Sequence, residues 1–145
     1  MKKIISSSLC LATTLFLAFS LTGCSLESDV IRGAKRSSKS LSEYLINPSS
    51  LVYSVMYWVH DATTKTIYYY CEFDGTDSEG VYTEIYDPAF MEWERGKATA
   101  TVYFYEDDLY STIYTTFDTL WNDPSTEGAQ FTEAEITSIL EGANL

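Results

Sequence analysis

Four stretches of this chain, residues 51–60, 65–73, 81–86 and 98–105, alternate aromatic or β-branched side chains with polar ones, the period-two signature of a strand. The polar turn Asp61-Ala62-Thr63-Thr64 joins the first two as a hairpin, residues 74–80 form a loop, and Asp87-Pro88 ends the third. Residues 88–97 fit neither template, although Arg95-Gly96-Lys97 breaks whatever precedes it. From Glu106 the period changes. Leu109, Tyr110, Ile113, Tyr114, Phe117, Leu120 and Trp121 fall on one helical stripe, with Ser111, Thr112, Thr115, Thr116 and Thr119 opposite. A second helix opens at Thr132, where a Thr132/Glu135 capping box and a Phe131/Ile136 staple precede an apolar run closed by Gly142. Ser40-Leu41-Ser42-Glu43 reads as another capping box, opening a short helix that Asn47-Pro48 stops.

Strands followed by helices predict an α+β fold, a small antiparallel sheet of about four strands with helices packed on one face. Alternation assigns the faces. Ile67, Tyr69, Cys71, Phe73, Val81, Ile85, Ala98, Ala100, Val102 and Phe104 point toward the helices. Tyr68, Tyr70, Tyr82, Tyr86, Tyr103 and Tyr105 point away, interleaved with threonines and glutamates.

The chain begins with Lys2-Lys3 and an apolar run from Ile4 to Leu21, the layout of a secretory signal peptide. A membrane-spanning helix is the alternative, but six serines and threonines dilute the run and no basic stop-transfer cluster follows. The run ends in Leu21-Thr22-Gly23-Cys24, a lipobox, and in this the chain resembles bacterial lipoproteins. That resemblance implies cleavage before Cys24, lipid on its thiol, and a protein held by its anchor on the bacterial cell envelope, facing outside the cytoplasm. It divides the chain into a signal peptide (1–23), a lipidated tether (24–40) and one α+β domain (41–145). Serines and charges dominate residues 25–40, though Val30, Ala34, Leu41 and Leu45 also keep helical spacing, leaving room for a longer helix back to Ser28. The junction Leu45-Ile46-Asn47-Pro48-Ser49-Ser50-Leu51 is similar to one in small domains of bacterial surface lipoproteins; no activity follows from it.

Losing residues 1–23 from the 145 leaves 122, enough for a single domain, and the two lysines that go take nine bases to seven against 21 acids. Arg32, Lys35, Arg36 and Lys39 lie just after the anchor, so a mildly basic segment near an anionic membrane precedes an acidic body. Such a body argues against nucleic acid as a partner. With Cys10 removed and Cys24 lipidated, Cys71 stands alone; its place beside Ile67 and Phe73 in the alternation makes it a small buried hydrophobe.

Catalytic chemistry finds little purchase. His60 is the only histidine, and neither a nucleophile elbow, a phosphate loop nor a zinc-protease motif occurs. One histidine and one unmodified cysteine do not make a zinc site, and Asp74, Asp77 and Glu79 lack the spacing of a calcium loop. No catalytic residue, metal or cofactor is expected. The tyrosine face is the informative surface, since a flat apolar body with a polar tip suits stacking on a glycan or contacting a protein. Two plainer readings compete with it: cross-strand tyrosine–threonine pairs stabilising an open sheet, or cover by residues 88–97. The resulting expectation is a non-catalytic binding or interaction domain, with a small carboxylate-using envelope enzyme and an inhibitor-like protein as alternatives.

Overall fold

A computed structural model describes residues 21–76 and 86–145. Its elements are α1 (Leu21–Ser42), β1 (Asn47–Asp61), β2 (Thr66–Thr76), β3 (Asp87–Glu94), β4 (Thr101–Phe104), α2 (Tyr110–Asn122), β5 (Gly128–Gln130) and α3 (Glu133–Gly142). Five strands form one sheet in the order β4-β3-β2-β1-β5, antiparallel throughout. The fold is α+β. The expected hairpin is there, closing at Asp61↔Thr66. Of the expected strand at 81–86 only Tyr86 is described, and it lies in no strand; the neighbour of β2 on the side away from β1 is β3, drawn largely from the 88–97 segment. No helix of the described residues is long and apolar enough to cross a membrane.

The first correction concerns the stretch read as a tether. Residues 26–40 belong to α1, and Leu26, Val30, Ala34 and Leu41 are buried in the main core together with Ser37 and Ser38. The helical spacing of Val30, Ala34 and Leu41 allowed for this helix; small residues compose the centre of its stripe, and they are small for a reason. A Cβ on Gly33 would collide with the Trp93 ring and the Tyr69 hydroxyl, so glycine lets the helix lie directly on β2 and β3. Two of the polar groups trapped by this close approach are satisfied, the Tyr69 hydroxyl donating to the Val30 carbonyl at 2.7 Å and Ser38 Oγ pairing with the Tyr53 hydroxyl at 2.8 Å, while the buried Ser37 Oγ has no hydrogen-bond partner among the described residues. Ser40-Leu41-Ser42-Glu43 accordingly ends a helix rather than opening one. Ser42 is its last residue, with Oγ donating to the Lys39 carbonyl at 2.7 Å.

The second correction is that helices cover both faces of the sheet. The face carrying Ile67, Tyr69, Cys71, Phe73 and Val102 packs with α1 and the α3 residues Ile136 and Ile139, as the alternation predicts. The opposite face buries Val59, Tyr68 and Phe90 against Ile113, Phe117 and Trp121 of α2. With both sides covered, β3 buries consecutive residues: Ala89, Phe90 and Met91 are all buried, as is Trp93. Its alternation is thereby confined to Met91-Glu92-Trp93-Glu94. Helix α3 begins as expected, Thr132 Oγ1 accepting from the Glu135 amide at 3.1 Å and Glu135 Oε1 from the Thr132 amide at 2.8 Å.

Strand β4 is a sheet edge, and its outward-facing groups are occupied at both ends. Ser40 Oγ accepts from the Ala100 amide at 3.0 Å, and Asp107 Oδ2 accepts from the Phe104 amide at 2.7 Å. Short length and side-chain cover both discourage another strand from pairing there.

Candidate functional site

The six tyrosines expected to share one open face are not together. Tyr68 is buried, and Tyr70 and Tyr103 are half-buried on the face that α2 covers. The cover is α2, not residues 88–97. Tyr70 lies 5.0 Å from the Phe90 ring and 6.4 Å from that of Phe117. Its hydroxyl donates to Glu72 Oε2 at 2.8 Å, and the Tyr103 hydroxyl donates to Glu92 Oε1 at 2.7 Å. Burial first, and then these carboxylates, hold both phenols protonated well beyond their usual range, Tyr103 up to about 12. A tyrosine so placed stabilises the α2 side of the core rather than offering a platform. Tyr82 lies outside the described residues.

Tyr86 and Tyr105 are exposed, and they stand at the end of the sheet where β3 begins and β4 finishes. The start of α2 adds Leu109, 58 % exposed, and Tyr114, 50 % exposed. The Tyr105 and Tyr110 rings meet edge to face at 5.3 Å, while Tyr110 and Tyr114 lean on buried Phe90 at 5.2 and 5.9 Å. Around the β4 edge, exposed Tyr44 meets Phe104 at 5.1 Å, with exposed Ile46 two residues on. Large apolar side chains exposed at one end of a domain form the kind of surface that marks contact sites. The sequence pattern had placed Leu109 and Tyr114 on a stripe expected to be buried. That stripe is wider than the contact: Ile113, Phe117 and Trp121 are buried, while Leu109 and Tyr114 stay exposed.

Carboxylates rim this pole. Glu106, Asp107 and Asp108 form the link between Tyr105 and Leu109, and Asp87 follows Tyr86. Desolvation, then the nearby charges of Glu106 and Asp74, raise the pKa of Asp87 above the usual carboxylate value.

At the other end, Arg95 bridges to Asp29 through Nε at 2.8 Å and approaches His60 Nε2 at 3.5 Å. Beside it is a cavity of about 270 Å³ lined by His60, Asp61, Thr63, Asp123, Ser125 and Glu127, among others. His60 Nε2 faces the Arg95 guanidinium, and the Ser125 hydroxyl of this cavity donates to Asp123 Oδ1 at 2.8 Å. Cys71 is fully buried, and burial pushes its thiol far up. Of the calcium-loop candidates, Asp74 is buried while Asp77 and Glu79 lie outside the described residues, and no cluster of metal-ligating residues occurs among the described ones. Cys24 falls within the first turn of α1.

No known protein family, curated protein or solved structure matches this chain.

Proposed function

We propose that this protein is a bacterial lipoprotein, anchored through lipid on Cys24 to the cell-envelope membrane outside the cytoplasm, whose single domain binds a partner without catalysing a reaction. The lipobox Leu21-Thr22-Gly23-Cys24 supports the anchor. The observation that carries the binding role is the exposed aromatic pole, where Tyr105 is 66 % and Leu109 58 % exposed at the end of the sheet. The partner surface is thus transferred from Tyr68, Tyr70 and Tyr103 to Tyr86, Tyr105, Leu109 and Tyr114.

Two measurements test this reading. Mass spectrometry of the mature protein is expected to find an N-terminal Cys24 bearing acyl chains, lost in Cys24→Ala; an unlipidated N-terminus elsewhere as the main species overturns the anchor. A photo-crosslinking side chain at Leu109 or Tyr114 is expected to trap one discrete adduct in cells, whereas the same group at exposed Thr137 on α3 traps none. Equal trapping at both positions, or none at the pole, overturns the binding surface.

A further inference from the structure

The pole is aromatic and acidic at once, and the two properties select a partner together. The seven bases of the mature chain lie elsewhere: Arg32, Lys35, Arg36 and Lys39 on α1, Lys65 in the β1–β2 turn, and Arg95 and Lys97 after β3. Several are already engaged, Arg95 with Asp29, Arg36 with the Lys97 carbonyl at 2.6 Å, and Lys39 with the Asn144 carbonyl at 2.9 Å. Among the described residues no base forms an ion pair with Asp87, Glu106 or Asp108; the ion pairs are Arg32–Asp29, Arg95–Asp29 and Lys97–Glu94.

Resting on the binding role proposed above, we infer that the surface formed by Tyr86, Tyr105, Leu109 and Tyr114 with Asp87, Glu106 and Asp108 docks a cationic polypeptide, one presenting lysine or arginine side chains among apolar ones. A neutral glycan could stack on the tyrosines, but it would strip water from three carboxylates and return no charge. A lysine or arginine satisfies both parts of the surface. Its aliphatic stem packs on a tyrosine ring, its cation lies over the ring face, and its charged head meets the carboxylate rim. Like charge also discourages other acidic proteins from the same surface, which gives selectivity as well as attraction.

The test uses the full chain in detergent and two labelled peptides of equal length, one alternating arginine with leucine and one alternating glutamine with leucine. Fluorescence anisotropy is expected to show binding of the arginine peptide only. Binding should weaken about tenfold or more as salt rises from low to physiological strength, because exposed charges are screened over about 8 Å there. The double variant Glu106→Gln/Asp108→Asn is expected to lose about tenfold in affinity at an unchanged unfolding midpoint, and Tyr105→Ser/Tyr114→Ser to lose a similar factor. If both peptides bind equally and only the tyrosine variant weakens them, the pole is a contact surface and the cationic partner is wrong. Arginine-peptide binding that survives both variants places the site elsewhere and overturns the inference. So does self-association of the protein that the same variants abolish, because the occupant is then a second copy. Loss of the discrete crosslink at Leu109, by contrast, would remove the binding role itself.

Discussion

Replacing Gly33 by alanine sets two large effects against each other. Glycine inside a helix costs about 1 kcal/mol relative to alanine, so on propensity alone Gly33→Ala stabilises α1. The new methyl group, however, would enter space held by the Trp93 ring and the Tyr69 hydroxyl, both on fully buried side chains. Forcing a methyl into a filled core costs roughly 1–3 kcal/mol. Moving Tyr69 also breaks its 2.7 Å bond to the Val30 carbonyl and strands buried polar groups, roughly another 1–3 kcal/mol. Packing wins, and the expected net loss is about 3 kcal/mol. Gly142→Ala is the control, since its added Cβ meets only the end of the Lys35 side chain, which can swing away. That variant should lie between neutral and about 1 kcal/mol more stable. Urea unfolding followed by tryptophan fluorescence, with linear extrapolation, gives both values. If Gly33→Ala proves as stable as Gly142→Ala, α1 is not seated on the sheet, and residues 26–40 are the tether their composition suggests.

Two more expectations follow from the cover of the sheet. Tyr70→Ser should cost about 2–4 kcal/mol by opening space beneath α2, while Tyr105→Ser at the exposed pole should stay within about 0.5 kcal/mol. Equal losses in urea unfolding would show that α2 does not lie where Phe90 and Phe117 place it. His60 gives a pH dependence of definite sign. Burial first, then the Arg95 guanidinium, lower its pKa below the ordinary 6.5, against weaker upward pulls from Asp61 and Asp29. The unfolded chain therefore takes up this proton before the folded one. Stability is full above the unfolded value and declines as pH falls through it toward the folded value. His60→Gln should flatten that part of the curve of urea midpoint against pH, and an unchanged slope would refute the account.

Elements whose two sides face different surroundings were legible in the sequence. Strand β2 announced its faces because Ile67, Tyr69 and Cys71 meet one core while Tyr68 meets another, and α3 announced its start through Thr132 and Glu135. What stayed hidden has specific physical causes. The helical spacing of Val30, Ala34 and Leu41 left room for α1, but its sheet-facing stripe also runs through Gly33, Ser37 and Ser38, chosen for closeness rather than greasiness, so composition pointed to a tether. Strand β3 is buried on both sides at Ala89-Phe90-Met91, which interrupts an alternation left with only Met91-Glu92-Trp93-Glu94, and β5 has only three residues. For the site, the phase of the tyrosines was right, since Tyr68, Tyr70 and Tyr103 do share a face. Whether that face was open depended on where α2 docks, a long-range fact that no local pattern carries. Tyr105 was found by alternation; Leu109 and Tyr114 were lost to the assumption that an apolar stripe is buried along its whole length.

Helix α1 would leave no slack between the proposed anchor and the body. With acyl chains on Cys24, as proposed, the core begins two residues later at Leu26. A disordered leash over residues 24–40 would let the domain wander roughly 20 Å from its point of attachment. A continuous helix replaces that roaming with a fixed mast. From Cys24 to Ser42 it rises up to roughly 27 Å at 1.5 Å per residue, and the aromatic pole stands at its far end. Every copy in one leaflet would then hold the same orientation, hairpin turn toward the lipid and pole outward. A protein so anchored would not fish for distant targets; whatever it met would have to arrive at that height above the bilayer.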